Sequence, residues 1–217
     1  MDEKDLESLD EIKELLKERD VDCPPPNDNS VMDAKKNVLV YLHDFVFLLA
    51  GILLVLFLLF RIVVVSGPSM ESTLIDGDYI ILLNNIFYGQ PKQGDVIVAS
   101  KEAFKNGEPI IKRVIATEGQ QVDIDFLAGI VYVDGVALVE PYTLTPTNLQ
   151  EGIKFPVTVE KGCVFVMGDN RNLSKDSRNP EIGQIDCREI MGKAIFVALP
   201  GADAFTKKRD FSRIGAV

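Results

Sequence analysis

The sequence is poor in the residues that build metal sites and histidine-based catalytic sites. Its 217 residues include one histidine, His43, and three cysteines with no C-x-x-C spacing. His43 lies at the near edge of a long apolar segment, so the chain beyond that segment has no histidine for a Ser-His-Asp triad or a His-ligated zinc site. The cysteine spacing also disfavours a thiolate metal site. The sequence therefore predicts no metal and no cofactor.

Positive charge is also scarce. The formal net charge is −10, with much of the acidic excess in the first forty-odd residues, which disfavours a nucleic-acid partner. Cys23 precedes the apolar segment, whereas Cys163 and Cys187 follow it. If the later part of the chain is extracytoplasmic, Cys163 and Cys187 could form a disulfide; two buried free thiols are the alternative.

Residues 1–34 are predicted to form an acidic cytoplasmic tail. Leucine and isoleucine recur at steps of three and four within residues 3–19, the pattern of a short amphipathic helix. That helix is either a docking element for a cytosolic partner or a solvated, marginal helix. The Pro-rich stretch 24–30 is typical of a semi-rigid linker.

Residues 35–61 are predicted to form one membrane-spanning signal-anchor helix. Phe45 to Phe60 carries no charge and would span about 24 Å as a helix. Because the hydrocarbon core is ~30 Å thick, the span has to extend back through residues 39–42. Lys35 and Lys36 on the near side favour a cytoplasmic N-terminus. We therefore expect a single-pass protein of the cell membrane.

Residues 62–217 show strand patterns rather than helical ones. The predicted strands are short runs of β-branched and aromatic residues bounded by Gly, Pro, Asn and Asp, at 79–83, 95–99, 110–116, 130–133, 163–167 and 192–200. Asp134-Gly135 is a tight-turn signal, and residues 143–152 resemble a loop. With no long helical pattern between the strands, a mainly β, antiparallel domain is predicted.

Ser69 is a candidate nucleophile because of the turn that holds it. Gly67 and Pro68 come one residue after the apolar run that ends at Val65, and they force the chain to bend there. A hydroxyl on a tight bend, close to backbone N–H groups, is a common arrangement for a nucleophile and its oxyanion site. The alternative is an ordinary polar turn that caps a membrane helix.

Lys112 is a candidate general base. Alternate residues of a strand share a face, so Lys112 should lie on the same face as Ile110 and Val114. Burial disfavours the charged ammonium and is expected to lower its pKa, which would let the amine take a proton from a serine hydroxyl. The alternative is an edge lysine whose amine reaches water.

A third polar stretch, residues 168–178, follows the apolar strand at 163–167. Asp176 and Arg178 could pair within it, and Ser174 could orient a lysine amine through a buried hydrogen-bond network. The alternative is a solvated turn, although such a turn would not need two arginines beside a core strand.

Together these stretches resemble bacterial type I signal peptidases (leader peptidases), the membrane-bound Ser-Lys proteases that remove signal peptides from exported proteins. The similarity runs from about Ile62 to Gly215 and keeps the family's motif order. It implies that Ser69 is the nucleophile and Lys112 the general base, supported by Ser174, Asp176 and Arg178. It also implies a coiled, mostly antiparallel β-sheet domain with a small inserted β region at about 121–160.

The resemblance implies a substrate as well. Signal-peptide-bearing precursors would bind as an extended strand, with small residues of Ala-X-Ala type before the cut. The positions that match the family's pockets are Val63, Val65, Met70, Leu74, Ile110 and Ile111. Membrane lipid is a further expected contact, and the protein-export machinery is a further candidate partner.

Two departures from the family pattern affect the turn. Ser72 stands where many members have proline, and Gly67 stands where some members have a serine that adds an oxyanion donor. The main donor here would be the Ser69 N–H, because Pro68 has none. Two other functions fit parts of the pattern: a Ser-Lys protease of the self-cleaving repressor type, and a catalytically inactive membrane-tethered β module that scaffolds a secretion complex.

Overall fold

The structure is a computed structural model that describes residues 29–101, 104, 107–203 and 206–217. The chain divides into two compact units, residues 1–53 and 54–217. The predicted amphipathic helix at 3–19, Cys23 and residues 24–28 of the Pro-rich linker lie outside the described residues.

Helix α1 spans Asn29–Leu59. Its part from Asn37 to Leu59 has 23 residues with a mean hydropathy of 2.6, long and apolar enough to cross a membrane by length and composition. Both ends differ from the predicted span of 35–61. The helix begins inside the predicted tail, and Phe60 and Arg61 already belong to a strand, because their backbones pair with Leu83 and Leu82.

Among the described residues, twelve strands and one further short helix follow α1. The strands are β1 (Phe60–Val64), β2 (Tyr79–Asn84), β3 (Val96–Ser100), β4 (Pro109–Thr117), β5 (Gln121–Asp125), β6 (Ile130–Val133), β7 (Val136–Ala137), β8 (Val157–Thr158), β9 (Cys163–Met167), β10 (Ile185–Asp186), β11 (Ile190–Leu199) and β12 (Gly215–Ala216). Helix α2 spans Asn85–Tyr88, and two 3₁₀ helices span Cys187–Glu189 and Phe211–Arg213.

The strands form two sheets in which the pairing is antiparallel throughout. The main sheet has the order β1-β2-β11-β3-β4-β9-β10, with β12 paired to β11, and the second has the order β7-β6-β5-β8. The second sheet lies within residues 121–158, between β4 and β9 in the chain. The predicted fold class, mainly β after one apolar helix, is confirmed.

The predicted turn at Asp134-Gly135 joins β6 to β7, and both residues have positive φ, 50° and 77°. That backbone is the one that two-residue hairpins favour. Strands β1, β5, β7, β8, β10 and β12 were not predicted individually. Most of them are short, and β5 alternates buried Val122 and Ile124 with exposed polar residues. The strand character of the four two-residue strands depends on the partner strand more than on local propensity.

The described part of residues 54–217 has three apolar clusters in its interior. The turn core contains Val65, Met70, Leu74 and Ile111 together with residues of β2, β3 and β11. The strand core contains Ile97, Val114, Val164 and Val166, and Ile110 packs against it. The insert core joins β5 and β6 to β4 and β9 through residues such as Val122, Ile115 and Phe165. The first two cores hold the elements that carry the candidate nucleophile and base.

Candidate active site

The turn that carries Ser69 follows β1 and is fastened at both ends. The Val65 N–H donates to the Asp78 carbonyl at 2.8 Å, and the Gly77 N–H donates to the Val65 carbonyl at 2.9 Å. Met70 and Leu74 are fully buried in the turn core. Gly67 has φ of 87°, which favours glycine, and its N–H donates to Asp76 Oδ1 at 2.9 Å. Ser69 is therefore half-buried on a well-anchored bend.

Lys112 lies in β4 and reaches this bend. Its Nζ is 2.9 Å from Ser69 Oγ and also donates to the Ile111 carbonyl at 2.9 Å. The residue is 5% exposed, so its amine does not reach out to water as the edge-lysine alternative requires. Lys112 pairs with Ile97 across the sheet. The fold thus brings together a hydroxyl and an amine that the sequence separates by 43 positions.

The polar loop of residues 168–178 closes over the same bend. Asn170 is its main contact: the backbone N–H donates to the Ser69 carbonyl at 3.1 Å, and the side-chain amide donates to the Pro68 carbonyl at 3.2 Å. Gly168 also lies against the bend, because a Cβ added there would be only 2.5 Å from the Ser69 carbonyl oxygen. The loop and the nucleophile turn are therefore in direct contact.

Ser174 lies close to the dyad of Ser69 and Lys112 but does not make the expected hydrogen bond to the lysine amine. It is 2% exposed, and its Oγ has no hydrogen-bond partner among the described residues. A Cβ added to Gly168 would lie 2.2 Å from this Oγ and 2.5 Å from the Ser69 carbonyl oxygen. Ser174 and the Ser69 carbonyl therefore both lie next to Gly168. The orienting role of Ser174 towards the lysine amine stays a prediction.

Asp176 and Arg178 form an ion pair in the position that the sequence pattern suggested. Arg178 Nε and NH2 donate to the two carboxylate oxygens of Asp176, each at 2.8 Å, and both side chains are fully buried. Burial disfavours the charged guanidinium, but the hydrogen bonds and charge of Asp176 raise the pKa of Arg178 above its ordinary value. Asp176 Oδ2 also accepts the Gly168 N–H at 3.0 Å. The pair therefore holds the start of the loop.

Arg113, directly after Lys112, holds a second buried network that the sequence analysis missed. Its Nε and NH2 donate to Asp169 at 2.8 and 2.7 Å, and its guanidinium carbon lies 4.1 Å from the centre of the Tyr142 ring. The Thr73 hydroxyl donates to the same carboxylate at 2.5 Å. An arginine inside an apolar strand was the available signal, but its partner lies 56 positions away.

The segment before β8 joins this network through Glu140 and Tyr142. Arg171 NH1 and NH2 donate to the two oxygens of Glu140 at 2.8 and 2.5 Å. The Tyr142 hydroxyl donates to Glu140 Oε1 at 3.0 Å, and burial followed by the charge of Glu140 raises the pKa of Tyr142. The Ser72 hydroxyl donates to the Tyr142 carbonyl at 3.1 Å. Ser72, one of the two departures from the family pattern, thus contacts the inserted region.

The end of the chain holds the nucleophile turn from another direction. Arg213 donates to the two oxygens of Asp78 at 2.9 and 2.8 Å, and to the Thr73 carbonyl at 3.1 Å. The fully buried Asp78 also accepts the backbone N–H groups of Gly201 and Ile75. The turn is therefore fixed by a buried carboxylate that serves three separate segments.

Of the six predicted pocket residues, five share the turn core. Val65, Met70, Leu74 and Ile111 are members of that core, and Val63 packs against it. Ile110 lies apart and packs against the strand core. A substrate-lining role for any of the six stays a prediction.

Cys163 and Cys187 are both free, half-buried thiols, so the free-thiol alternative is the one found here. Burial raises the pKa of both thiols above its ordinary value. Among the described residues no group of three or more His, Cys, Asp or Glu side chains could hold a metal ion.

Comparison with known proteins gives consistent matches. The family described as signal peptidase, peptidase S26 matches residues 38–199. Signal peptidase I T of Bacillus subtilis is 34% identical over 187 residues, 80% of this chain and 93% of that protein. A probable signal peptidase I-1 of Synechocystis is 38% identical over 161 residues, 69% of this chain and 79% of that protein. The crystal structure of a signal peptidase I from Enterococcus faecalis is 28% identical, with a TM-score of 0.40, and covers 49% of this chain and 97% of that one.

Proposed function

Because the chain belongs to the peptidase S26 family of signal peptidases, we propose that it cleaves signal peptides from exported precursors with Ser69 as nucleophile and Lys112 as general base. The family membership makes the chain a serine endopeptidase. The observation that carries the assignment of residues is the 2.9 Å distance between Ser69 Oγ and the buried Lys112 Nζ.

The geometry supports a two-step acyl transfer. Ser69 Oγ attacks the scissile carbonyl carbon while Lys112 Nζ accepts the hydroxyl proton. The tetrahedral intermediate collapses as Lys112 returns that proton to the leaving amine, which becomes the N-terminus of the mature protein. Water then attacks the ester on Ser69 with Lys112 again accepting a proton. The signal peptide leaves with a new carboxylate, and the Ser69 hydroxyl is restored.

The oxyanion of the intermediate requires donors on the bend. We assign the Ser69 N–H as the main donor, because Pro68 has no N–H and the Gly67 N–H donates to Asp76. The preference for small residues before the cut is supported by the turn core, whose buried members Val65, Met70 and Leu74 flank Ser69 in the chain. We propose that these residues limit the size of the substrate side chains that bind next to Ser69.

Ser69-dependent cleavage is the direct test of this function. The detergent-solubilised full chain is expected to process a precursor that carries an Ala-X-Ala site, and Ser69→Ala is expected to lose at least about 10³-fold in kcat/KM, since the nucleophile itself is removed. The readout is the N-terminal sequence and rate of appearance of the mature product. Ser66→Ala, on the exposed residue three positions earlier, is the matched control. Undiminished processing by Ser69→Ala would contradict the assignment.

The orientation that this function requires is a cytoplasmic N-terminus and an extracytoplasmic catalytic domain. Exported precursors present their cleavage sites beyond the membrane, and Lys35 and Lys36 precede the apolar part of α1. Digestion of residues 66–217 by protease added to intact spheroplasts would support this orientation, and their protection would contradict it.

A lipid contact of the catalytic domain is supported by an exposed apolar surface. Helix α1 ends at Leu59, and the strand that follows begins this surface. Its large apolar side chains are more than a third exposed, and they come from β1, α2 and β11: Ile62, Ile86, Phe87 and Phe196. Such a surface on a protein with a membrane helix is suited to the interface of a bilayer.

An introduced tryptophan tests this contact, because the natural sequence has none. In the full chain reconstituted into vesicles, the fluorescence of Phe87→Trp is expected to be quenched by brominated phospholipid. Leu127→Trp, at a position 98% exposed between β5 and β6, is the control and should not be quenched. Equal quenching of the two, or none in either, would rule out a specific lipid contact at Phe87.

The inactive scaffold is less well supported. A module without catalysis would have no need to bury a lysine amine against a serine hydroxyl, since burial of an ammonium is costly. The named relatives are peptidases, and the chain covers most of their length.

A further inference from the structure

Glu151 is a buried carboxylate in the β7–β8 loop, residues 138–156. Its side chain is 8% exposed, and Oε1 lies 3.5 Å from Arg178 NH2. Its Oε2 is buried and has no hydrogen-bond partner among the described residues. A buried carboxylate oxygen that is left unpaired destabilises a fold, so its presence needs an explanation.

Residues of the β7–β8 loop on both sides of Glu151 in the chain also hydrogen-bond Arg178. Arg178 NH1 donates to the Leu149 carbonyl at 3.1 Å, and the Ile153 N–H donates to the Arg178 carbonyl at 3.1 Å. The same arginine donates to the carbonyls of Arg171 and Ser174, at 2.7 and 3.4 Å. Arg178 therefore links the β7–β8 loop to the loop that closes over the dyad.

Two carboxylates share this one guanidinium, which leaves a surplus negative charge. Asp176 accepts hydrogen bonds from Nε and NH2 of Arg178, each at 2.8 Å, whereas Glu151 Oε1 is 3.5 Å from NH2. Burial, and then the charge of Asp176, raise the pKa of Glu151, while Arg178 opposes the rise. Asn179 and the backbone of Asp176 oppose the rise further. Of the two carboxylates, Glu151 is thus the one that Arg178 contacts less closely.

A short chain of contacts leads from this cluster to the nucleophile. Asp176 Oδ2 accepts the Gly168 N–H, and Gly168 borders both the Ser174 hydroxyl and the Ser69 carbonyl. Glu151 and Ser174 also line the same surface pocket of about 270 Å³. The other charged residue of that pocket, Lys175, pairs with Glu181 at 2.7 Å. A change at Glu151 can therefore alter the positions of the groups around Ser69 and Lys112.

We propose that Glu151 is a positioning residue of the Ser69–Lys112 site, which holds Arg178 and, through Arg178 and Asp176, sets the position of Gly168 and Ser174. The proposal rests on the proposed function for its kinetic test. It makes the β7–β8 loop part of the catalytic apparatus, although no atom of Glu151 takes part in the reaction.

The first test is the pH dependence of stability, which does not require activity. Because the pKa of Glu151 is raised in the folded state, that state binds the proton more tightly than the unfolded chain, whose Glu titrates near ~4.3. Stability is therefore lost as pH rises through the window between these pKa values. The uncharged Glu151→Gln variant is expected to gain about 2–4 °C in Tm over the wild type at pH 7.5, a gain that disappears in acid. A pH-independent difference would overturn the burial and charge argument.

The second test is the pH profile of cleavage, corrected for the folded fraction. The negative charge of Glu151 favours the protonated form of the proposed base, Lys112. Glu151→Gln is therefore expected to move the acidic limb of the pH profile of kcat/KM to lower pH. Glu151→Asp keeps the charge and should keep the limb. Glu151→Ala removes one of the contacts that position Arg178. It is expected to lose about tenfold in kcat with KM unchanged, because we place Glu151 outside the substrate site.

Glu181→Gln is the matched control, because Glu181 is an exposed carboxylate near the same loop. It should change neither the limb nor kcat. Superimposable profiles for wild type, Glu151→Gln and Glu151→Ala would refute the positioning role while Ser69-dependent cleavage stands. If Ser69→Ala cleaves as well as the wild type, the proposed function fails, and the stability test alone still decides whether Glu151 is the strained carboxylate described.

Discussion

Lys112→Arg is expected to abolish precursor cleavage although it keeps the positive charge. A guanidinium does not lose its proton in a protein, so the variant has no base to accept the Ser69 proton. General bases contribute typically 10²–10⁴-fold, and we expect a loss of roughly 10³-fold or more in kcat/KM. The measurement is the rate of mature-product formation by the solubilised full chain.

Two further variants separate loss of the base from loss of the fold. Lys112→Met keeps the length of the side chain without an amine, and it should be as inactive as Lys112→Arg while its circular dichroism stays that of the wild type. Lys175→Arg is the control, because Lys175 is half-exposed and pairs with Glu181 at the surface. Cleavage by Lys112→Arg within tenfold of the wild-type rate would exclude Lys112 as the base.

Gly168→Ala is expected to have the second-largest effect. An added Cβ would lie 2.2 and 2.4 Å from Oγ and Cβ of Ser174, and 2.5 Å from the Ser69 carbonyl oxygen. The backbone of the nucleophile turn would have to move, because it cannot rotate away as a flexible side chain would. A displacement of ~1 Å at a catalytic group costs on the order of 10²-fold in rate. The crowding should also lower stability by about 1–3 kcal/mol.

Gly215→Ala is the matched control for that substitution. A Cβ at Gly215 meets no atom within 4 Å, and the residue is half-exposed at the edge of the main sheet. It should leave both the Tm and the rate of cleavage close to the wild type. If Gly168→Ala cleaved at the wild-type rate, the contact between the closing loop and the Ser69 carbonyl would be irrelevant to catalysis.

The buried networks explain why these substitutions should alter the positions of Ser69 and Lys112. Arg113, Arg171 and Arg178 each pair with a carboxylate. The first pair ties the loop of residues 168–178 to β4, the second ties it to the β7–β8 loop, and the third lies within the loop itself. Removing one member of such a pair leaves its partner charged and buried, which is more damaging than the loss of a surface ion pair. The loop is therefore fixed by several buried contacts rather than by one.

Local chemistry explains what the sequence by itself determined. Asp134 and Gly135 adopt positive φ because of their own residue types, and the strands at 130–133 and 163–167 have the predicted bounds. The apolar run from 45 to 59 is helical as expected. Ser69 and Lys112 could be singled out because a Gly-Pro bend and a lysine among β-branched residues are visible within a few positions of the chain.

Only the tertiary structure decided which distant groups meet. Ser69 and Lys112, Arg113 and Asp169, and Asp78 and Arg213 are 43, 56 and 135 positions apart. The end of α1 at Leu59 likewise depends on pairing with β2, and the burial of Glu151 on the enclosure of Arg178 by a loop. Local propensity acts over a few residues, whereas these contacts follow from strand register and from burial in a low-dielectric interior, where an unpaired charge is costly.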